Sequence, residues 1–217
     1  MTGTRSGEVL ERLGRRLQTA LWPESRAALH TPGLRNPPPP REFARFGDNS
    51  WIVPPARIQG AEHIDIGAGV VLMEHMEIRA QAPVSLGNGT RFARFCTIWS
   101  TEGVFIGEEV LTSDYVAVID CWRQPFATAT ARTTTTGHSI PSPRAAAPVV
   151  IEDGAYLGCS CIIGPGVTVG RGAYVGEGAV VYDDVPAHSV VYGNPERVTR
   201  SWTPAGGWEG DMFGVSA

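Results

Sequence analysis

Between residues 149 and 185, in VVIEDGAYLGCSCIIGPGVTVGRGAYVGEGAVVYDDV, an aliphatic residue returns every six positions without a slip, at Ile151, Leu157, Ile163, Val169, Val175 and Val181. Four residues after each stands a compact apolar one: Ala155, Cys161, Val167, Ala173, Ala179 and Val185. A period of six is neither the 3.6 of a helix nor the plain alternation of a strand. It is the spacing of a short strand plus a corner, repeated, and so predicts a solenoid. The two apolar positions of each hexad then point inward. Gly158, Gly164, Gly170 and Gly176 stand where the backbone must turn tightly. One hexad cannot bury its apolar pair alone, but stacked coils bury a continuous column.

The repeat reaches further back. Phe46-Gly47, Ile66-Gly67, Leu86-Gly87 and Ile106-Gly107 follow one another at intervals of 20, each coil being three hexads plus two extra residues at one corner. From Ile151 to Val169 the interval tightens to 18. Six coils of three strands result, an all-β column. One interruption is large: about 25 residues are looped out between Asp120 and Pro148, and an excursion of that length inside a compact repeat is usually functional.

Three segments follow: residues 1–45, residues 46–190 carrying the repeat with its inserted loop at 120–148, and residues 191–217. Val9, Leu10, Leu13, Leu17 and Leu21 make one apolar stripe, with Ser6 as cap and Pro23 as stop, which predicts a short amphipathic helix over 6–21. Residues 32–40, PGLRNPPPP, predict an extended linker. Helix and linker are expected to close one end of the column, and the segment after Val190 the other. A formal charge of −4 leaves no electrostatic footprint for nucleic acid. The N-terminal stretch has no apolar run long enough for a signal peptide or a membrane span. Cys96, Cys121, Cys159 and Cys161 lack secreted-scaffold spacing, and Cys96 and Cys161 occupy inward positions, so a cytoplasmic, reduced protein is expected.

The stretch PVVIEDGAYLGCSCIIGPGVTVGRGAYVGEGAVVYDDVPAHSVVYGNPERVTR is similar to the C-terminal half of the hexapeptide-repeat acyltransferases, most closely the galactoside, maltose and exopolysaccharide O-acetyltransferases. The resemblance implies a left-handed parallel β-helix, a homotrimer with active sites between neighbouring subunits, and acetyl-CoA as acyl donor with no metal. The acceptor it implies is a hydroxyl of a sugar or sugar-bearing metabolite. It places the catalytic His on the projecting loop, where Thr136-Gly137-His138-Ser139-Ile140 resembles the family's short segment. An acceptor hydroxyl must lose its proton as it attacks the thioester, and an imidazole of near-neutral pKa can take it. Asp120, at the loop base, is the carboxylate expected to orient that imidazole. Counted from Val110-Leu111, the family's His falls near Trp122 or Arg123, so the Thr-rich insertion must fold back to bring His138 to the site; His75 is the alternative base.

Arg197 and Arg200 match the family's contacts to coenzyme A phosphates, whose geometry suits a guanidinium. Tyr182-Asp183 stands where relatives carry Thr-Lys, and Arg171 could compensate. Gly158 and Gly176 would let the pantetheine arm approach the backbone. Trp99 and Trp122 could stack on a sugar face, and Arg94 could hold an anionic acceptor. Two other readings stand beside this one. A catalytically silent trimer would keep the column without the chemistry. A gamma-type carbonic anhydrase would need three zinc-bound His, but His30, His63, His75, His138 and His188 are scattered.

Overall fold

A computed structural model describes residues 42–122 and 146–210. The expected helix over 6–21, the linker, His138 and the last seven residues lie outside the described residues. Within them the chain winds as a left-handed parallel β-helix with three faces. The first face carries Arg45–Phe46, Ile64–Ile66, Val84–Leu86, Val104–Ile106, Val149–Ile151 and Thr168–Val169, paired in that order. The second runs from Trp51–Ile52 through Val71–Leu72, Arg91–Phe92, Leu111–Thr112 and Tyr156–Leu157 to Tyr174–Val175. The third runs from Arg57–Gln59 through Glu77–Ala80, Thr97–Ser100, Ala117–Ile119 and Ile162–Ile163 to Val180–Val181.

Six rungs on each face make the six coils expected from the period, and the inward positions are those the hexads mark. Ile66, Leu72, Ile78, Leu86, Phe92, Ile98, Ile151, Leu157 and Ile163 are all fully buried. The compact second positions Ala155, Cys161, Val167, Ala173 and Ala179 are buried with them. The insertion leaves the register untouched, since Val104 pairs with Val149 and Ile106 with Ile151 across it. The ladder therefore closes directly over the gap, and the excursion is an addition to an intact wall.

Some inward corner positions carry hydroxyls instead of methyls, and these join neighbouring coils. Ser50 Oγ donates to the Gly67 carbonyl at 2.7 Å and accepts from the Val70 N–H at 3.1 Å. Thr90 Oγ1 repeats the pattern two coils later, with the Gly107 carbonyl at 2.7 Å and the Val110 N–H at 3.2 Å. Buried polar atoms are tolerated because each is hydrogen-bonded.

Past Val185 the hexad period ends but the sheet does not. Ser189–Gly193 pairs parallel with the Tyr174–Val175 strand, Glu196–Thr203 pairs antiparallel with Ser189–Gly193, and Gly207–Gly210 pairs antiparallel with Glu196–Thr203. The segment expected to close the column thus extends the second face by one parallel strand and two antiparallel ones, with Trp202 opposite Trp208.

Candidate functional site

The inserted segment leaves and re-enters the wall between the third and first faces, and its base is tightly held. Asp120 is fully buried. Its carboxylate accepts the consecutive backbone N–H groups of Thr101 (2.8 Å), Glu102 (2.7 Å) and Gly103 (2.7 Å), together with the Thr101 hydroxyl at 3.0 Å. The Asp120 carbonyl accepts the Ala147 N–H at 2.9 Å, and Cys121 bridges antiparallel to Ala146. Both stems of the excursion are therefore fixed to each other and to the corner at 101–103. The carboxylate expected to orient an imidazole is occupied here by backbone donors.

Beside this base lies a shallow cleft lined by Arg79, Gln81, Trp99, Ser100, Thr101 and Cys121. Arg79 and Trp99 are register partners on the third face. The Arg79 guanidinium sits 5.1 Å from the Trp99 ring centre and is held by Glu77, whose Oε1 accepts from Nε at 2.6 Å. Trp99, expected as an acceptor platform, therefore has a cation over one face. Arg79, Gln81 and Cys121 were not legible as site residues one at a time. The 20-residue spacing of Arg79 and Trp99, both at outward positions, is the signal that places them together.

Trp122 packs downward along the wall. A Cβ on Gly164 would meet its ring at 2.9 Å, and its ring centre is 5.8 Å from that of Tyr182. The backbone N–H groups of Tyr182 and Asp183 donate to Glu196 Oε1 at 3.0 and 2.6 Å, tying this corner to the C-terminal strands. On those strands Arg197 is exposed opposite Tyr192. Arg200 lies with its guanidinium 5.4 Å from the Trp208 ring centre, and its buried Nε has no hydrogen-bond partner among the described residues. Arg171 is exposed and bridges Asp153 at 3.1 Å.

Gly158 and Gly176 are buried, and what stands against each is the chain's own next layer. A Cβ on Gly158 would lie 2.8 Å from the Gly176 backbone, and one on Gly176 would lie 2.0 Å from the Tyr192 ring. Coil stacking alone requires glycine at both positions.

Arg94 and His75 fall on a different edge, between the second and third faces. Arg94 is exposed, and Asp114 Oδ2 accepts from it at 3.0 Å. That hydrogen bond, then the Asp114 charge, raises the guanidinium pKa further. His75 is exposed at a corner and stacks on Phe95 at 4.4 Å. Within one chain neither meets the loop base. Among the described residues no group of three or more His, Cys, Asp or Glu converges to hold a metal ion.

Residues 148–183 match the family described as bacterial transferase hexapeptide (six repeats). Over that stretch the chain carries the hexapeptide repeat that its winding shows. Over 61 residues this hexapeptide-repeat protein is 54% identical to a 2,3,4,5-tetrahydropyridine-2,6-dicarboxylate N-acetyltransferase of Halalkalibacterium halodurans, a match covering 28% of the chain and 25% of the relative. The corresponding enzyme of Enterococcus faecalis is 52% identical over 61 residues, covering 28% and 26%. The chain thus spans about a quarter of the length of the curated relatives it matches. Among solved structures, AntD, an N-acyltransferase from Bacillus cereus in complex with dTDP and 3-hydroxybutyryl-CoA, superposes with a TM-score of 0.61 at 21% identity, covering 72% of this chain and 82% of that one. A mutant perosamine N-acetyltransferase from Caulobacter crescentus, in complex with CoA and GDP-perosamine, gives 0.51 at 21% identity over 70% and 57%. At these identities the superpositions establish the fold. Among the described residues no helix is long and apolar enough to cross a membrane.

Proposed function

We propose that this hexapeptide-repeat protein transfers an acetyl group from acetyl-CoA to a nucleophile on a sugar-bearing acceptor, as a homotrimer with its sites between neighbouring chains. The observation that carries this reading is the loop base. An otherwise unbroken wall releases one long segment, clamps both its stems through Asp120, and sets beside it a cleft of polar and aromatic side chains. Gln81 offers hydrogen-bonding groups to a hydroxyl-rich acceptor, the Thr101 hydroxyl, whose proton goes to Asp120, can still accept, and the Trp99 indole offers an apolar wall. Phosphates of the donor fall to Arg197 and Arg200, whose guanidinium geometry suits them.

Two acceptor chemistries share this frame. A hydroxyl must be deprotonated as it attacks, which calls for His138 as general base and N–H groups at a coil corner for the tetrahedral oxyanion. An amine attacks through its own lone pair and gives up its proton afterwards, so it depends less on a base. The N-acetyl and N-acyl activities of the relatives favour the amine. The orienting role given to Asp120 becomes, in this frame, that of fixing the stem from which His138 departs.

Release of free coenzyme A thiol, followed with acetyl-CoA and paired hydroxyl- and amino-sugar acceptors, tests the reading. Transfer to at least one pair member is expected. His138→Ala should lower the rate on a hydroxyl acceptor about 100-fold or more and on an amine far less. Absence of both thiol release and acetyl-CoA binding would leave the silent-trimer reading standing instead.

A further inference from the structure

His75, Phe95 and Tyr115 occupy one corner, between the second and third faces, in three successive coils. All three have left-handed backbone, with φ of 63, 59 and 63°. Side chains are disfavoured there relative to glycine, so three rings in a row run against local preference. The rings form a ladder along the column. His75 and Phe95 are 4.4 Å apart and 3° from parallel, and Phe95 and Tyr115 are 4.9 Å apart and 4° from parallel.

The ladder stops at Tyr115. In the next coil the same corner is Ser160, again left-handed at φ 59°, whose N–H donates to the Asp114 carbonyl at 3.0 Å. One coil further it is Gly178, where a Cβ would find nothing within 4 Å. Phe95 is 41% exposed and Tyr115 55%, so the ladder ends in an open aromatic face with a ring-sized step above it. Acceptors border the step: the Ser160 hydroxyl, the Asp114 carboxylate paired with Arg94, and Glu177, which accepts from the Tyr174 hydroxyl at 2.8 Å.

We propose that this corner binds the planar base of a nucleotide, stacked on Tyr115 in place of the ring that Ser160 does not supply. A flat heterocycle continues the ladder, and an exocyclic amino group would meet the bordering oxygens. An aliphatic side chain of a partner would cover those oxygens without adding a donor to the ones that Arg94 and Tyr174 supply. The base could come from the coenzyme A donor, as adenine, or from a nucleotide-linked acceptor. Only that choice of source rests on the acyltransferase reading.

Calorimetric titration of the full chain decides the matter. Adenosine 3′,5′-bisphosphate represents the donor's nucleotide end, and UDP, dTDP and GDP represent acceptor nucleotides. Binding by one of these is expected. Tyr115→Phe, which keeps the face, should stay within about threefold, whereas Tyr115→Ala should weaken binding about tenfold or more. Ser160→Tyr, which fills the step with a fourth ring, should abolish binding while the fold persists by circular dichroism; it serves even if Tyr115→Ala misfolds. No nucleotide binding, or equal binding in wild type and Ser160→Tyr, would overturn the proposal. So would a Tyr115 variant that loses its oligomer by light scattering with nucleotide affinity unchanged, since the corner would then face another copy. Tyr115-dependent binding without acyl transfer would overturn only the acyltransferase reading, and transfer without such binding only this one.

Discussion

Asp120 shows how much one buried carboxylate can hold. With three backbone N–H groups and a hydroxyl converging on it, its removal strands four donors at once, the buried Gly103 N–H among them. Asp120→Ala should lower unfolding stability by about 2–4 kcal/mol, and Asp120→Asn by somewhat less because one carbonyl oxygen remains. A urea midpoint unchanged from wild type would refute this. Its place at the loop base was legible from the broken period. Its partners were not, because the 101–103 corner is adjacent only once two coils are stacked. The buried thiols make a second residue-scale prediction. Burial raises the pKa of Cys161, and also that of Cys96, so the folded state holds both protonated. The unfolded thiols ionise near pH 8.5, so this contribution is complete below that pH and is lost as pH rises above it. Urea midpoints at pH 7.5 and 9.5 should fall accordingly, and the fall should be smaller in Cys161→Ala.

At the scale of elements, the corners carry two kinds of glycine, and substitution separates them. A Cβ on Gly170 would lie 2.4 Å from the Ala187 backbone nitrogen, which cannot move without displacing the next coil. Gly154 has φ of +68° but open space around it. Gly170→Ala should therefore cost about 2–3 kcal/mol through overpacking, and Gly154→Ala about 1 kcal/mol through backbone strain alone. Thermal melts of the two variants check the order, and equal losses would contradict it. The hexad pattern marked Gly170 as a corner. It could not say whether the neighbouring coil or the dihedral angle demanded glycine, since the two demands leave the same letter in the sequence. The C-terminal strands were hidden for a related reason: antiparallel pairing of Glu196–Thr203 and Gly207–Gly210 requires no period of six.

For the whole molecule, the proposed trimer gives a direct expectation. Light scattering should report a mass of three 23.2 kDa chains, and a single-chain mass would remove the inter-subunit site. What the sequence determined alone was the number of coils, the inward residues and the place of the excursion. Each hexad must bury its own apolar pair, so that requirement is written locally and repeats along the chain. Tertiary structure alone decided which outward residues meet: Arg79 over Trp99, Trp122 on Gly164, the ladder ending at Tyr115. Outward positions obey no burial rule, and their neighbours lie a full coil away. Only the winding of one coil upon the next brings them within reach of each other.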